Sequence, residues 1–382
     1  MIDYLIIPMC ASLYLGIMYY LANKTNLGSD LITNHKFENI EGLRGLAAML
    51  VIFHHSILAN ENALSGSWKF PQIEKMGNSI WIEGFYHNSG PVGVVVFFMI
   101  TGFLFSNKLI TSKGEVNYLD FYKKRIIRVA PLYYFSVMIV FLISIFMPLN
   151  YPSGFLDGVR KFFGWLTFYF IGYEGFTTSF PYSRLNAGVF WTLAVEWKFY
   201  FIIPFLGIFA RTLKQSFIFF VVAAMLTIIL NNASLIKNME SAIIISFLIG
   251  LLASILNKFD YLHKIMRSWH LSVVPVLCMF FIILSPTGVY NNVSVSILGV
   301  AFILISCGNN VFGLMSSRAL KSAGVISYSV YLLHGIILNM LNYFLAEELS
   351  RSLINITAVI AIPLTCTASY LFIEKPFMTK KQ

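Results

Sequence analysis

Long apolar runs interrupted by very few charges dominate this sequence of 382 residues. A helix needs about 20 such residues to cross the hydrocarbon core of a bilayer, and many of the runs approach that length. Hydrophobic residues make up 58% of the chain and charged residues 12%, whereas soluble domains carry about 25% charged residues. These features exclude a soluble globular protein, and they predict an all-α fold, a polytopic bundle of transmembrane helices.

The apolar runs predict eleven membrane spans. The first span has no basic residue before it and Lys24 after it, which favours a retained anchor over a cleaved signal peptide. The aromatic run 162–172 is too short to cross and is predicted to be an interfacial helix. The spans lie near residues 2–22, 43–59, 89–107, 129–148, 190–210, 216–231, 240–256, 270–285, 293–308, 325–345 and 353–373.

Basic residues between the spans predict the orientation. With the N-terminus outside and the C-terminus in the cytoplasm, most lysines and arginines fall in cytoplasmic segments, as the positive-inside rule requires. The net charge of +10 is therefore interpreted as a signal of topology, and no nucleic-acid partner is expected. Cys10, Cys278, Cys307 and Cys366 all fall inside predicted spans without CxxC spacing, so neither a disulfide framework nor a metal site is expected.

The segment GLRGLAAMLVIFHHS places Arg44 and His55 eleven residues apart within one predicted span. Eleven steps of about 100° return a helix almost to its starting direction, so both side chains share one face, about 16 Å apart along the axis. Ionisable side chains are costly in hydrocarbon and usually line an internal cavity where they have a function. The two residues are therefore candidates for a working site.

Glu196 lies inside the span that begins FWTLAVEWKFYF, at a depth similar to that of His55. A carboxylate that accepts a hydrogen bond from an imidazole fixes its tautomer and raises its basicity. The alternative is a structural ion pair with Lys198, although residues two apart on a helix do not face each other.

Arg125 and Arg128 lie one helical turn apart in YLDFYKKRIIRVAPLYYF, at the predicted cytoplasmic surface where Arg44 also lies. Three converging guanidinium groups are suited to binding phosphates. Simple anchoring at the positive inner surface is the alternative. On the outer side, polar and aromatic residues of the long loops are candidates for contact with a polar substrate or for interfacial anchoring: Trp68, Trp81, Tyr86, Asn88, Tyr173, Tyr182 and Asn186.

Six segments of the chain form an ordered set: GLRGLAAMLVIFHHS, GVVVFFMITGFLFS, FYKKRIIRVAPLYY, WTLAVEWKFY, ISYSVYLLHG and YLFIEKPF. Together, and in this order, they resemble the bacterial acyltransferase-3 family of membrane sugar O-acyltransferases. The resemblance covers about residues 40–375. It implies a ten-helix acyltransferase-3-like membrane domain at 41–382, preceded by an additional transmembrane helix and cytoplasmic linker at 1–40. It also implies a member without the extracellular hydrolase-like domain that some members carry.

The resemblance implies roles for individual residues. Arg44 and His55 match the family's essential Arg-x10-His pair, and the spacing favours His55 over the adjacent His54. Only Glu196 matches the family's pair of acidic residues, because Trp197 follows it. The family's Ser-Gly pair is here Thr101-Gly102, which retains a hydroxyl group and a flexible point inside a helix.

The resemblance implies transfer of an acyl group, usually acetyl from acetyl-CoA, to a hydroxyl of a cell-surface glycan such as O-antigen or of its undecaprenyl-linked precursor. Arg44, Arg125 and Arg128 are predicted to bind the nucleotide phosphates on the cytoplasmic side of a bacterial inner membrane. His55, oriented by Glu196, is then predicted to act as general base, or to carry the acetyl group in a covalent variant.

Several further residues are candidates for the substrate site. Thr101, Tyr328 or Tyr331 could donate a hydrogen bond to the developing oxyanion, although packing explains the tyrosines equally well. His334 is either a functional residue or a buried neutral histidine satisfied by a backbone carbonyl. Glu374 and Pro376 are predicted to mark the end of the last helix.

Three other classes of protein are alternatives. They are a secondary transporter, a lipid-linked sugar flippase and a non-catalytic scaffold. Transporters commonly show inverted repeats and paired broken helices, neither of which is found in this sequence.

Overall fold

The computed structural model describes residues 6–33, 37–71, 79–146, 163–168 and 182–379, and within these ranges it contains helices and no strand. The prediction of an all-α bundle is confirmed. The helices are α1 (Ile7–Lys24), α2 (Leu27–Thr33), α3 (Glu38–Ser65), α4 (Ile80–Thr111), α5 (Tyr118–Phe146), α6 (Tyr182–Leu185), α7 (Phe190–Phe209), α8 (Leu213–Asn232), α9 (Asn238–Leu256), α10 (Asp260–Met266), α11 (Val273–Ile283), α12 (Asn292–Ser306), α13 (Arg318–Val325), α14 (Ser327–Leu345), α15 (Arg351–Ser369) and α16 (Lys375–Thr379).

Each predicted span coincides with a helix or a pair of helices in the described part of the chain. By length and composition, eight of the described helices can cross a membrane, or nine if α10 and the segment Trp269–Ile283, which are bent by 72°, form one span. The two remaining predictions coincide with α1 and with α12, which has only 15 residues. The architecture is that of a polytopic membrane bundle, and the number of eleven spans stays a prediction.

Helix α3 lies at the centre of the bundle, because its residues belong to two apolar clusters. Ile52 and Ile57 pack with residues of α1, α5, α14 and α15. Leu43 and Ala47 pack with residues of α4, α7, α9 and α12. Residues that α3 directs between the two clusters are therefore enclosed by several helices.

Close backbone contact holds α4 against α9. A Cβ atom at Gly102 would lie 2.5 Å from the carbonyl oxygen of Phe247, so only glycine fits there. Small residues at such crossings let helices approach closely in a membrane, where dispersion and packing drive association. Helix α4 continues unbroken through this position. Gly102 therefore serves close helix packing, and the structure shows no flexible point at Thr101-Gly102.

Trp165 is 1% exposed, packs against Phe190 and belongs to the apolar core. The interfacial helix expected over 162–172 stays a prediction. The remainder of the run 162–172 beyond Phe168 lies outside the described residues. At the other end of the chain, Glu374 and Pro376 do not end the last helix. It continues through a π-helical turn, Tyr370–Glu374, to Thr379, because Glu374 turns inward and bonds to Ser329.

Candidate functional site

Arg44 and His55 lie on one continuous helix, α3, as the sequence predicts. Their separation of eleven residues corresponds to about 16 Å along the axis. Both side chains are half-buried in the bundle. One helix therefore carries two polar positions at different depths.

The first of these positions, Arg44, opens into a cavity of about 120 Å³. We call it the arginine cavity. It brings together Arg44 from α3, Thr101 from α4, Arg125 and Arg128 from α5, Glu196 and Tyr200 from α7, and Ser327, Tyr328 and Tyr331 from α14. The predicted convergence of the three arginines is confirmed by this common lining. His55 and His334 are not among the residues that line it.

Positive charge predominates in the arginine cavity. Arg44 is paired with Glu41 at 3.2 Å, at the edge of the site. Arg125 lies over the ring of Phe105 at 5.0 Å, and its buried Nε has no hydrogen-bond partner in the described part of the chain. No hydrogen bond or ion pair within the described ranges involves Arg128. Because guanidinium groups bind oxyanions in a forked geometry, these donors are suited to phosphate groups.

Glu196 is the carboxylate of the cavity, and its two oxygens accept hydrogen bonds from protein hydroxyls. Thr101 donates to Oε1 at 3.0 Å and Tyr200 donates to Oε2 at 3.1 Å. Arg44 and Arg125 act on Glu196 electrostatically, but neither forms an ion pair with it within 4 Å. The carboxylate is therefore fixed by neutral donors, which leaves Arg125 and Arg128 available for a ligand.

The expected hydrogen bond between Glu196 and His55 is not present, and this prediction is wrong. Both oxygens of Glu196 are directed into the arginine cavity, and His55 bonds to a different partner. The alternative ion pair with Lys198 is also absent, because Lys198 is exposed on another face of α7. Helix α7 thus separates these two charges, as their spacing of two residues requires.

His55 pairs instead with His334 of α14. The Nδ1 of His55 lies 2.9 Å from the Nε2 of His334, and the Nδ1 of His334 lies 2.7 Å from the carbonyl oxygen of Val330. A carbonyl accepts hydrogen bonds only, so the Nδ1 of His334 carries a proton. When His334 is neutral, its Nε2 is an acceptor, and His55 must donate through Nδ1. The Nε2 of His55 then has a free lone pair.

His54 occupies a different environment. Its Nδ1 lies 2.7 Å from the carbonyl oxygen of Tyr86, and its ring packs on Phe70. A Cβ atom at Gly90 would collide with the ring of His54, so the imidazole fills a gap between α3 and α4. These contacts are those of a packed histidine, and they favour His55 as the chemically active one.

Tyr331 lies between the arginine cavity and the His55–His334 pair. It lines the cavity, and its ring is 6.3 Å from the ring of His334, one turn further along α14. Its hydroxyl is 2.6 Å from the Oγ1 of Thr192 and 3.2 Å from the carbonyl oxygen of Val189. The two polar positions are therefore adjacent, with a hydrogen-bonded tyrosine between them.

The hydroxyls predicted to stabilise an oxyanion are occupied. Thr101 donates to Glu196, Tyr328 donates to the carbonyl oxygen of Val129 at 2.8 Å, and the hydroxyl of Tyr331 bonds to Thr192 and Val189. Their role in binding an oxyanion stays a prediction, and these contacts give it no support. All three residues nevertheless line the arginine cavity.

Two further residues of the cavity do not follow from the sequence reasoning. Ser327 begins α14, and its buried Oγ has no hydrogen-bond partner among the described residues. Tyr200 holds Glu196. Each could have been identified as a site residue from its place beside a predicted one. Ser327 precedes Tyr328 directly, and Tyr200 lies one helical turn after Glu196.

The candidate residues of the outer loops are dispersed. Asn88 is buried and donates to the carbonyl oxygens of Ile283 and Ser285, whereas Trp68 lies 6.3 Å from His55, between ring centroids. Tyr86 and Asn186 are also buried, and Trp81 is exposed and packs on Phe280. Tyr173 and the side chain of Tyr182 lie outside the described residues. Among the described candidates of the outer loops, Trp68 is thus the one whose ring lies near the ring of His55.

Comparison with known proteins shows similarity to O-acetyltransferases and to a nodulation protein. Peptidoglycan O-acetyltransferase OatA of Listeria monocytogenes is 27% identical over 187 residues, which cover 46% of this chain and 25% of that protein. Nodulation protein 10 of Rhizobium leguminosarum bv. viciae is 28% identical over 181 residues, 44% of this chain and 43% of that protein. O-acetyltransferase OatA of Staphylococcus aureus is 24% identical over 371 residues, 89% of this chain and 57% of that protein.

This chain therefore spans between a quarter and just over half of the length of these relatives. No solved structure matches it. The family model described as an acyltransferase domain, that of the acyltransferase-3 family, matches residues 37–374. This range includes Arg44, His55, Glu196 and His334, and on this match the chain belongs to the acyltransferase-3 family.

Proposed function

We propose that this protein transfers an acyl group, acetyl from cytoplasmic acetyl-CoA in the simplest case, across the membrane to a hydroxyl of a cell-surface glycan. Two of the relatives are named O-acetyltransferases, one of them acting on peptidoglycan. The acceptor here is a surface polysaccharide of the O-antigen or peptidoglycan type, or its undecaprenyl-linked precursor. The observation that carries the proposal is a single helix with a phosphate-suited arginine cavity at Arg44 and, at His55, an imidazole whose Nδ1 lies within hydrogen-bond distance of His334.

The cavity residues fit the phosphates of the donor. Arg125 offers a buried Nε without a partner, Arg128 has no counter-ion within 4 Å among the described residues, and Ser327 offers a free hydroxyl. We propose that these groups bind the diphosphate in the cytoplasmic half of the bacterial inner membrane, with the N-terminus of the chain outside. Eleven helical residues separate Arg44 from His55, which corresponds to a rise of about 16 Å. A pantetheine arm is long enough to extend over this distance.

His55 performs the proton transfer in this proposal. Its Nε2 takes the proton of the sugar hydroxyl while the sugar oxygen attacks the thioester carbonyl carbon. The new C–O bond forms, the C–S bond breaks, and the imidazolium returns its proton to the leaving thiolate. A positioned general base contributes about 10²–10⁴-fold to such a step.

His334 positions His55 for this role. Its Nε2 accepts the Nδ1 proton of His55, and its own Nδ1 proton is fixed by Val330. The tautomer with the free Nε2 is thereby selected, which is the function that the sequence had suggested for Glu196. A covalent variant, in which the Nε2 of His55 first accepts the acetyl group, uses the same tautomer. Rapid release of free CoA with label bound to the enzyme before acceptor is added identifies that variant.

A genetic experiment tests the proposed function. The surface glycan of a deletion strain is compared by NMR with that of strains complemented with the wild-type gene or with His55→Ala at equal protein level. We expect the O-acyl signal to be lost in the deletion and in the variant, while polymer length and export stay normal. Shortened or unexported glycan would point to a flippase or transporter, and unchanged O-acylation would overturn the proposal.

A further inference from the structure

A surface groove separate from the arginine cavity lies between α7, α8 and α9. Its volume is about 350 Å³, and its walls are apolar, formed by residues such as Phe199, Leu206 and Phe219. Ile202 and Ile244 on its rim are 49% and 40% exposed, so the groove opens outward, where a membrane protein faces lipid. Its lower end shares Leu206 and Phe219 with a smaller apolar pocket. The shape and chemistry suit a hydrocarbon chain.

Two opposite charges line this groove. They are Lys198 of α7 and Glu240, in the first turn of α9. No ion pair within 4 Å joins them, and Lys198 has no hydrogen bond or ion pair with any described residue. Glu240 accepts a hydrogen bond from the backbone N–H of Lys237 at 2.9 Å. A cation in an apolar span without a protein partner is costly and usually has a function.

The two charges lie at different depths. The rings of Phe199 and Phe247 are stacked with centroids 4.2 Å apart, which aligns α7 with α9 at this level. Lys198 precedes Phe199 directly, whereas Glu240 precedes Phe247 by seven residues, or about 10 Å of helix rise. The cation is therefore the deeper of the two charges, and the anion is nearer to the end of its helix. A lysine side chain extends upward from such a position.

We propose that this groove binds a zwitterionic phospholipid of the phosphatidylethanolamine class. One acyl chain lies along Phe199, Leu206 and Phe219, the phosphate binds Lys198, and the terminal ammonium binds Glu240. The order of charges agrees with this lipid, whose phosphate is linked nearer to the acyl chains than its ammonium group is. An anionic lipid with a glycerol headgroup offers no cation to Glu240, and a trimethylated headgroup offers no N–H donor.

Lipid binding at this groove is independent of acyl transfer, since none of its lining residues lines the arginine cavity or contacts the His55–His334 pair. Failure of this proposal would leave the proposed function intact, and the reverse also holds. The readout is bound lipid and not activity.

Native mass spectrometry tests the site. Purified, delipidated protein in detergent is mixed with equal amounts of phosphatidylethanolamine, phosphatidylcholine and phosphatidylglycerol that carry identical acyl chains. We expect one phosphatidylethanolamine to be retained preferentially. Lys198→Met lowers its retention about tenfold, which is the effect of losing one charge-assisted hydrogen bond, and Glu240→Gln removes the preference over phosphatidylcholine.

Two further variants keep the experiment decisive. Lys237→Met removes an exposed lysine near Glu240 in the chain that does not line the groove, and its lipid retention should equal that of the wild type. Ala223→Phe fills the groove and should lower retention of all three lipids. Equal retention of the three lipids by the wild type, or equal losses with Lys198→Met and Lys237→Met, would show that lipid binds only non-specifically. Either result would overturn the proposal. The thermal midpoint of each variant confirms that it is folded.

Discussion

The Nδ1 of His55 on α3 lies 2.9 Å from the Nε2 of His334 on α14, and the backbone carbonyl of Val330 fixes the proton of the second ring. This arrangement orients an imidazole with another imidazole in place of a carboxylate. A neutral partner selects the tautomer of His55 without placing a second full charge beside it. The pair therefore suits a site enclosed by apolar helices, where a buried carboxylate would be costly.

Loss of His334 should lower activity without abolishing it. We expect His334→Ala to reduce kcat about 10–100-fold, as is usual when a group that orients a reactive histidine is removed, while the KM for the donor changes little. His55→Ala should cost about 10²–10⁴-fold. Steady-state acetyl transfer by purified, reconstituted protein measures both values, and His334→Gln, which retains an acceptor, should recover part of the rate. Equal losses in the His334 and His55 variants would contradict a purely positioning role.

The two adjacent histidines of α3 should behave differently. His54 donates to the carbonyl oxygen of Tyr86 and packs against Gly90, so His54→Asn keeps a donor and should retain most of the activity. His55→Asn loses the free ring nitrogen and should be inactive. The same transfer assay compares them at matched protein level. A more severe defect in the His54 variant would show that His55 is not the base.

Substitution of the cavity arginines should act on donor binding. Arg125→Lys and Arg128→Lys keep the positive charge but lose the forked geometry, so each should raise the KM for acetyl-CoA about tenfold with a smaller effect on kcat. Lys123→Met, at an exposed position on the same helix, is the matched control and should leave the KM unchanged. Titration of CoA into the purified variants checks binding directly. Unchanged affinity in both arginine variants would exclude this cavity as the phosphate site.

The carboxylate of Glu196 should depend on its two hydroxyl donors. Thr101→Val removes one of them and leaves the Oε1 of Glu196 without its hydrogen-bond donor, which costs about 1–3 kcal/mol of stability. Tyr200→Phe should have a similar effect on the other oxygen. Apparent thermal midpoints in detergent measure both variants. Glu196→Gln paired with Thr101→Val should lose less than the sum of the single variants, and strict additivity would argue against the contact.

Gly102 offers a test of the helix packing around the site. Gly102→Ala introduces a Cβ atom 2.5 Å from the carbonyl oxygen of Phe247, so α4 and α9 must separate at a cost of about 1–3 kcal/mol. Gly16→Ala is the matched control, because no atom lies within 4 Å of the corresponding Cβ, and it should be neutral or stabilising. Thermal aggregation midpoints of the two variants check the prediction. Equal midpoints would show that the crossing tolerates a methyl group.

The sequence predicted the parts of the site that depend on one helix. The spacing of Arg44 and His55, and that of Arg125 and Arg128, follows from helical periodicity alone. The apolar runs likewise predicted a span within each helix that carries a site residue, although α5 begins eleven residues before its predicted span and Arg125 and Arg128 lie in that added part. Local spacing therefore accounts for which residues share a face.

Contacts between distant segments could not be predicted from local sequence spacing. Similar depth in the sequence pairs Glu196 with His55, but the rotation of α7 about its axis directs the carboxylate toward Thr101 and Tyr200. His334 is 279 residues from its partner His55, and no local pattern encodes that distance. Aromatic rings suit both a headgroup layer and a packed core, so composition alone does not show that Trp165 is buried. In each case the packing of several helices decides the outcome.

The continuity of α3 also has a consequence for the donor in the proposed reaction. The rise of an intact helix is fixed, so the backbone positions of Arg44 and His55 stay about 16 Å apart along the axis. A compact activated acetate such as acetyl phosphate would not span these two positions. The proposed reaction therefore requires a reagent whose phosphates and reactive carbon are held far apart by a slender linker.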